Sequence, residues 1–538
     1  MEAGFFVFQW TSKPIKFNQT NTTRKLTMSD WTAGYVADIA YTFGYYAELN
    51  PHRNILPLLH ANITLPENGT ACELGFGQGL ATNIHAAASG TRWYGTDFNP
   101  AQAGFARELA SVSGASCEVF DQSFAEFCSR TDLPDFDFIG LHGIWSWVSD
   151  ENRAEIVDFI RRKLKIGGVL YISYNTLPGW SSFAPMRHLM TEHAEIIGAE
   201  GRGIVSRIND ALEFSEKLIQ TNPLYTRANP HIADRIKRIS EQNRHYLAHE
   251  YFNRDWHPMH FATMADWLEP AKVQYACSAH TLDHIDAINL TPDQQAFLAE
   301  IPDVMFRESV RDFMVNQQFR RDYWVKGVRK LTPLEQIEQL RQQRFILLTP
   351  RSDVSLKAIG SLGEAEMSEA IYNPILDLMA DHKARSLAQL ESELKPIGIV
   401  FSQILQATMI LTGSSHFVSV QSEAIQAKAK KACEKMNDYL IIKARSSNDV
   451  SYLASPVTGG GIPVSRFNQL FLLGLKKGHK SADEIARYTW GILNSQAQRL
   501  VKENKTLELE EDNIAELTSQ ANAFINKTLP ILKALHIV

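Results

Sequence analysis

The sequence feature that most constrains the fold is a glycine-rich stretch, Thr70-Ala-Cys-Glu-Leu-Gly-Phe-Gly-Gln-Gly-Leu80. A short β-prone run ends at Glu73, three glycines follow at 75, 77 and 79, and a helix-prone run begins at Leu80. Glycines allow a ligand to approach the backbone closely, and a helix N-terminus presents unpaired N–H groups. The stretch therefore predicts a strand, a tight turn and a helix that together bind a nucleotide-like ligand.

Three classes of nucleotide-binding turn share such glycines. A phosphate-binding P-loop ends in Gly-Lys-Ser/Thr, and this stretch contains no lysine. A dinucleotide-binding turn has the pattern Gly-x-Gly-x-x-Gly/Ala, and Leu80 stands at its last position when counting starts at Gly75. The remaining pattern, Glu-x-Gly-x-Gly-x-Gly, resembles the first motif of class I S-adenosylmethionine (AdoMet) methyltransferases. A plain turn between a strand and a helix is the alternative.

Length and composition exclude several classes of protein. A chain of 538 residues is expected to hold two to four domains, and a net charge of −6 gives no overall attraction to nucleic acid or an anionic membrane. The five cysteines include no Cys-x-x-Cys pair, so neither a disulfide framework nor a cysteine-rich zinc site is predicted. No apolar run is long enough to span a bilayer. We expect a cytoplasmic protein with no nucleic-acid partner.

The N-terminal residues differ from the rest. Residues 1–27 are first aromatic and then polar, and residues 4–10 lack the basic flank and cleavage site of a signal peptide. We therefore expect an N-terminal extension or loose arm, with Met28 as the working start. Residues 29–50 carry aromatic side chains at helical spacing and predict an amphipathic helix that covers the edge of a sheet.

Strands and helices alternate after residue 70. Strands are predicted at residues 70–73, 91–96, 116–120, 136–141 and 168–174, with helices at 101–110 and 151–164. Two later strands, 272–277 and 318–325, would complete a seven-stranded sheet. The predicted fold class is α/β: a doubly wound, mostly parallel, Rossmann-like sheet of the class I methyltransferase type, with a helical insertion after the fifth strand.

Polar residues stand at the ends of four predicted strands, where a doubly wound sheet binds its ligand. They are Glu73, Asp97, Asp121 and His142. A carboxylate accepts two hydrogen bonds from a ribose diol, and another can meet an adenine amino group. The alternative is that a strand-end aspartate only caps the following helix.

The order of these residues resembles class I methyltransferases position by position. The resemblance places Asp97 at the ribose, and Asp121, Gln122 and Ser123 at the adenine. It places the turn glycines against the methionine part of AdoMet. The predicted AdoMet site comprises Glu73, Gly75, Phe76, Gly77, Gly79, Asp97, Phe98, Asp121, Gln122, Ser123 and His142.

The rest of the chain is predicted to be mostly helical. Residues 183–217 and 232–249 each predict a long helix, and residues 331–538 predict a helical region with a winged-helix arrangement around 366–420. His249, His257 and His260 lack the spacing of a zinc motif, so no metal site is expected. The predicted domains are 1–27, 28–180, 181–330 and 331–538.

Several stretches together resemble one bacterial family. They are residues 35–51, 73–79, 142–148 (HGIWSWV), 173–180 (SYNTLPGW) and 308–327. They are similar to methyltransferases that carry a methyltransferase regulatory domain, including the rickettsial protein-lysine methyltransferases. The resemblance runs from about residue 28 to the C-terminus. It implies AdoMet as cofactor, a regulatory segment near 225–330, a protein substrate with a lysine acceptor, and a homodimer.

Methyl transfer needs an acceptor aligned behind the methyl group and little water. Trp145, Trp147, Tyr174 and Trp180 follow the fourth and fifth strands, where an acceptor should approach, and His142 and Asn175 are expected to orient the amine. The predicted catalytic residues are His142, Trp145, Tyr174 and Asn175, and packing of the loops is the alternative. A small-molecule methyltransferase with extra domains for dimerisation or regulation, and a non-catalytic module, stay open as other functions.

Overall fold

The computed structural model of this chain describes residues 42–67, 69–198 and 200–538. The predicted N-terminal extension and most of the helix predicted at 29–50 lie outside these residues. The described end of that helix is irregular chain with a 3₁₀ turn at Ala47–Leu49, so the helix prediction is wrong for residues 42–50. The chain here turns inward, and Leu49 is fully buried.

A seven-stranded sheet forms the centre of the first 330 residues and confirms the predicted fold class. Its strand order is β3-β2-β1-β4-β5-β7-β6, in which β1 to β5 are parallel and β7 runs antiparallel to both its neighbours. The strands are β1 (Thr70–Leu74), β2 (Arg92–Thr96), β3 (Cys117–Phe120), β4 (Phe136–Leu141), β5 (Leu164–Asn175), β6 (Val273–Ser278) and β7 (Phe319–Lys326).

Short helices precede or follow the parallel strands. They are α1 (Ile55–His60), α2 (Leu80–Ala88), α3 (Pro100–Ser113), α4 (Phe124–Cys128) and α5 (Asp150–Lys163). The sequence sets their starts, because the side chains of Asn99, Ser123 and Ser149 accept hydrogen bonds from the first turns of α3, α4 and α5. Every one of these caps lies at the carboxyl edge of the sheet, so the caps also fix the loops of the site.

The insertion after β5 contains more helices than the sequence predicts. They are α6 (Ala184–Ile196), α7 (Ile204–Gln220), α8 (Leu224–Ala228), α9 (His231–Ser240) and α10 (Arg244–Tyr251). The single helix predicted at 183–217 is wrong because the chain leaves the helix before three glycines, at 198, 201 and 203. The single helix predicted at 232–249 is wrong because Asn243 caps a new helix with its side chain.

Four more helices flank the last two strands of the sheet. They are α11 (Phe261–Leu268), α12 (Asp286–Asn289), α13 (Pro292–Ala299) and α14 (Val304–Met314). Since β6 and β7 belong to the central sheet, the middle segment completes the first domain's sheet as well as adding helices to it.

The region after residue 330 begins with a small antiparallel sheet, in the strand order β11-β8-β12, surrounded by helices. Its elements are α15 (Pro333–Gln342), β8 (Arg344–Leu347), β9 (Lys357–Gly360), β10 (Gly363–Glu366), α16 (Glu369–Met379), β11 (Arg385–Ser386), α17 (Leu387–Leu394), α18 (Phe401–Gly413) and β12 (Phe417–Ser419). This is the part for which a winged helix is expected. The helices and the strand expected there are observed as α16, α17, α18 and β12, and the central strand β8, which precedes α16 in the chain, pairs with β12.

The last part of the chain packs against helices α2 and α3 on one side of the seven-stranded sheet. Its elements are α19 (Glu423–Lys443), β13 (Tyr452–Ser455), β14 (Gly460–Pro463), α20 (Arg466–Lys476), α21 (Ala482–Asn494), β15 (Val501–Lys502), β16 (Lys505–Thr506), α22 (Glu510–Ala523), a π-helical turn (Phe524–Thr528) and α23 (Leu529–Ala534). Helix α19 lies against α2 and α3, and Leu80, Ile84 and Leu109 share its hydrophobic core. Among the described residues, no helix is long and apolar enough to cross a membrane.

Candidate active site

A cavity lies at the carboxyl ends of β1 to β4, beside the glycine turn. Its walls are formed by the glycine turn and by the loops that follow β2, β3 and β4. Its lining consists of Tyr46, Gly75, Phe76, Gly77, Asp97, Phe98, Asn99, Gln102, Gln122, Ser123, Phe124, His142, Gly143, Ile144, Trp147, Val148, Ser149, Asn152 and Asp255.

The glycine turn needs its glycines for two separate reasons. Gly75, Gly77 and Gly79 have φ values of 76°, 58° and 67°, a region that disfavours other residues. A Cβ on Gly79 would also lie 2.5 Å from the Cβ of Ala106, and a Cβ on Gly75 would lie 2.6 Å from the Cδ1 of Ile144. The turn therefore brings the start of α2 close to α3 and leaves Gly75 and Gly77 in the cavity wall.

Asp97 follows β2, and its carboxylate is held in the cavity wall by backbone donors. Oδ2 accepts a hydrogen bond from Gly77 N at 2.9 Å, and Oδ1 accepts one from Asn99 N at 3.0 Å. With its amide nitrogen turned toward Asp97, Gln102 donates a third bond at 2.9 Å. Burial raises the pKa of Asp97 to about 6, although the two backbone bonds favour the ionised form. The carboxylate is thus oriented and ionised at neutral pH.

Glu73 lies beneath the turn and does not line the cavity. Its side chain is buried and accepts a short hydrogen bond from the hydroxyl of Thr82 on α2. Burial raises the pKa of Glu73 to about 8, and the nearby Asp97 raises it further, against the effect of the Thr82 bond. Glu73 is therefore largely protonated at neutral pH, and it ties β1 to the first turn of α2.

His142 follows β4 and lies between two tyrosine rings. Its ring is stacked on Tyr46 with centroids 3.7 Å apart, and on Tyr171 with centroids 5.9 Å apart. Its Nδ1 is 2.8 Å from the Tyr171 hydroxyl. Burial lowers the pKa of His142 to about 4, and the positive charge of Arg321 lowers it further, while Glu48 opposes both. His142 is a neutral, oriented ring in the cavity wall at neutral pH.

The aromatic residues predicted to surround the acceptor separate into two groups. Trp147 lines the cavity, and its ring lies 6.2 Å from that of Trp256. Trp145 and Tyr174 are buried in the core instead: Trp145 Nε1 donates to Met259 Sδ at 3.3 Å, and the Tyr174 hydroxyl donates to an Asp322 carboxylate oxygen at 3.0 Å. These two side chains support the loops behind the cavity.

Asn175 and Trp180 also lie behind the wall. The backbone N–H of Asn175 donates to the hydroxyl of Ser146 at 2.8 Å, and its side chain is buried. The ring of Trp180 packs edge-on against Trp256 at 5.2 Å. Neither residue belongs to the cavity lining.

The residues predicted at the adenine are also divided. Gln122 and Ser123 line the cavity, and Phe124 joins them. Asp121 is not among the lining residues, because its half-exposed carboxylate pairs with the guanidinium of Arg107. That ion pair holds the pKa of Asp121 below its ordinary value. Its side chain thus points to α3 in this structure.

Several lining residues were not predicted from the sequence. Gln102 is on the first turn of α3, five residues after Asp97, and this spacing could have suggested it. Ile144 lies two residues after His142 and could have been found in the same loop. Asn152 and Asp255 carry no local signal, because Asp255 reaches the cavity from the middle segment.

No group of three or more metal-binding side chains occurs among the described residues. The histidines at 249, 257 and 260 do not converge: His249 is buried, His257 lies 3.5 Å from Asp255, and His260 stacks on Phe313. A second cleft of about 460 Å³ lies between α14 and strands β6 and β7. It is away from the glycine turn, and its buried Arg320 pairs with Glu308, Asp312 and Asp322.

Comparison with known proteins agrees with this geometry. The family model "Methyltransferase domain" matches residues 72–172, and the model "Predicted methyltransferase regulatory domain" matches residues 243–326. An uncharacterized protein of Synechocystis sp. is 39% identical over 512 residues, covering 94% of this chain and 99% of that protein. An uncharacterized protein of Rickettsia prowazekii is 27% identical over 296 residues, which is 53% of this chain and 51% of that protein.

Solved structures share the fold at lower identity. PKMT2 from Rickettsia typhi in complex with AdoHcy is 17% identical with a TM-score of 0.67, and covers 93% of this chain and all of its own. A second structure of PKMT2 has a TM-score of 0.64 at 19% identity, and covers 91% of this chain and 98% of its own. These similarities extend over the sheet, the insertion and the C-terminal region.

Proposed function

Because this chain belongs to the class I AdoMet-dependent methyltransferases that carry a methyltransferase regulatory domain, we propose that it methylates the side-chain amines of protein lysines. The observation that carries the proposal is the make-up of the cavity. Its described lining contains two carboxylates, one neutral histidine and five other aromatic side chains, and no lysine or arginine. Such a lining suits a cationic methyl donor and an acceptor that arrives as a cation.

The residues present fit AdoMet. Asp97 offers an oriented carboxylate, which we assign to the ribose diol, and we assign the lining residues Phe98, Gln122 and Ser123 to the adenine. Gly75 and Gly77 line the cavity with backbone alone, which allows a ligand to approach the turn closely. When bound, AdoMet would supply a methyl group for transfer to the amine nitrogen, and the electron pair of the broken carbon–sulfur bond would stay on sulfur.

The acceptor must lose a proton before transfer. A free lysine side chain has a pKa of about 10.4, so at neutral pH it enters mainly as an ammonium ion. Burial lowers the pKa of His142 to about 4, which makes it a poor acceptor for that proton, and we propose that solvent takes the proton instead. The roles that we assign to His142 and Tyr46 are to orient the neutral amine and to exclude water from one side of it.

Of the four residues predicted to be catalytic, we propose a direct contact with the acceptor for His142 only. His142 and Trp147 face the cavity and keep their proposed contact with the acceptor. For Trp145, Tyr174 and Asn175 we propose positioning roles, since all three are buried behind the loops that form the wall. Asp121 would need to leave Arg107 in order to reach an adenine. The homodimer and the cytoplasmic location implied by the sequence stay predictions.

A small-molecule acceptor is the second candidate. One observation favours it: the C-terminal region shares hydrophobic cores with α1, α2 and α3, which gives it a structural role without any substrate docking. A protein-docking role is then not needed to explain the extra residues.

The two candidates are separated by the fate of a labelled methyl group. The full chain is incubated with tritiated AdoMet and a bacterial extract, which is then divided into macromolecules and metabolites. Treatment with base removes methyl groups that are attached to carboxylates as esters. Label that stays on protein after this treatment supports the proposal. Label confined to the metabolite fraction contradicts it and favours the small-molecule reading.

A further inference from the structure

Residues 253–259 of the middle segment cross the carboxyl ends of β4 and β5. His257 N donates to Ser146 O at 2.8 Å, and Met259 N donates to Asn175 O at 3.1 Å. Asn253 O accepts a further hydrogen bond from the Arg187 guanidinium, so Asp255 lies between two fixed points of the chain, residues 253 and 257. The family model for the regulatory domain covers this part of the chain.

Asp255 is the middle segment's contribution to the cavity wall. Its side chain is 24% exposed, and its nearest basic groups are the Arg254 guanidinium at 3.7 Å and the His257 ring at 3.5 Å. Both distances exceed those of normal hydrogen bonds, and both partners are themselves half exposed. The neighbouring aromatic wall is Trp147, whose ring contacts Trp256. A carboxylate beside indole rings is a favourable place for an organic cation.

The charges of the cavity leave a place for one more cation. The carboxyl groups among the described lining residues are those of Asp97 and Asp255, and the lining contains no lysine or arginine; Arg254, outside the lining, lies 3.7 Å from Asp255. AdoMet carries a sulfonium, an ammonium and a carboxylate, and so supplies one net positive charge. An enclosed site is most stable when its charges are paired. Among the lining groups alone, AdoMet would balance one carboxylate and a protonated amine would balance the second.

We propose that Asp255 binds the ε-ammonium group of the incoming lysine and thereby selects cationic acceptors. This inference rests on the proposed function and assigns the middle segment a direct part in substrate recognition. Asp255 acts before transfer, since the amine must still lose its proton to solvent. It is a specificity residue: its loss should raise KM for the acceptor without lowering kcat.

The test uses n-butylammonium, which has the shape and charge of a lysine side chain. Its binding to the full chain saturated with AdoHcy is followed by calorimetry and by tryptophan fluorescence. We expect Asp255→Asn to weaken butylammonium binding about tenfold and to leave AdoHcy affinity unchanged. A tenfold loss corresponds to the lower end of the range for a hydrogen bond to a charged group. Asp266→Asn removes an exposed charge elsewhere on the middle segment and is the matched control. Asp255→Glu keeps the carboxylate and should retain binding.

Three results would overturn the inference: no butylammonium binding to the wild type, equal binding by Asp255→Asn, or a loss of AdoHcy affinity in that variant. If Asp255→Asn did not fold, the wild type alone would test the inference through its preference for a cation. Uncharged 1-butanol should then bind to it at least about tenfold more weakly than butylammonium, and equal binding would overturn the inference. Cation binding through Asp255 without any lysine methylation would contradict the proposed function only. Lysine methylation with an unchanged KM in Asp255→Asn would contradict the inference only.

Discussion

The ring of Tyr46 lies parallel to that of His142, 3.7 Å away and inclined by only 21°. Tyr46 comes from the chain that precedes α1, whereas His142 follows β4. The stack therefore joins the N-terminal part of the described chain to the strand end where the acceptor is expected. It also covers the histidine ring, whose pKa falls to about 4 because the ring is buried.

Burial of neutral His142 makes it a source of acid sensitivity. Its pKa is lowered from 6.5 to about 4, so between these values the unfolded chain binds a proton that the folded chain does not. We expect the free energy of unfolding of the wild type, relative to His142→Gln, to decrease as pH falls from 6.5 to about 4. The decrease should be about 1–3 kcal/mol, measured by urea unfolding at several pH values. A difference that is constant with pH would show that His142 titrates normally.

AdoMet binding should depend on pH through Asp97. Because the pKa of this carboxyl is raised to about 6 in the free protein, lowering the pH through 6 removes the ionised acceptor for the ribose diol. Affinity measured by calorimetry should therefore fall below pH 6 in the wild type and stay flat in Asp97→Asn. At neutral pH, Asp97→Ala should weaken binding by about 1.5–3 kcal/mol. Asp158→Ala, which breaks only surface ion pairs of α5, should bind normally.

Gly79 of the turn should tolerate alanine less well than Gly114, which follows α3. Gly79 and Gly114 have nearly equal φ values of 67° and 64°, so alanine at either position carries the same backbone cost of about 1–2 kcal/mol. A Cβ at Gly79 meets Ala106 at 2.5 Å, whereas at Gly114 its nearest contact is a flexible lysine end at 3.7 Å. Gly79→Ala should therefore lose about 1–3 kcal/mol more than Gly114→Ala in denaturant unfolding. Equal losses would mean that α2 and α3 can move apart freely.

Gln421 joins the C-terminal region to the nucleotide-binding sheet. Its buried side-chain nitrogen donates to Ala88 O at 2.8 Å, at the end of α2, and to Pro456 O at 2.7 Å. Gln421→Met keeps the length of the side chain and leaves both carbonyls unpaired, which should cost about 2–4 kcal/mol of stability. Gln520→Met, on α22, removes a single hydrogen bond to the Glu516 carboxylate and should cost far less. A melting temperature that is the same in the two variants would argue that the region folds independently.

The fold was largely predictable because strand ends and glycines carry strong local signals. The strand predicted at 70–73 is observed at Thr70–Leu74, and that predicted at 318–325 is observed at Phe319–Lys326. The two long insertion helices were not predicted correctly, because Asn243 and the glycines at 198, 201 and 203 interrupt patterns that are otherwise periodic. Apolar periodicity describes the face that a helix buries, and says little about where it ends.

The sequence predicts which loops form the site, but it does not predict which side chains of those loops face the cavity. A position after a strand places a residue near the cavity, as for Asp97 and His142, but does not decide where its side chain points. Asp121 finds a nearby partner in Arg107, and Tyr174 finds one across the sheet in Asp322. Asp255 could not be predicted at all, because only the folded middle segment brings it to the cavity.

The most direct test of the proposed activity is mass spectrometry of proteins incubated with the full chain and AdoMet. We predict mass increases of one or more methyl units that map to lysine side chains and disappear when Asp97→Ala replaces the wild type, with Asp158→Ala as the active control. Methyl groups found only on metabolites, or lysine methylation that persists undiminished in Asp97→Ala, would contradict the account.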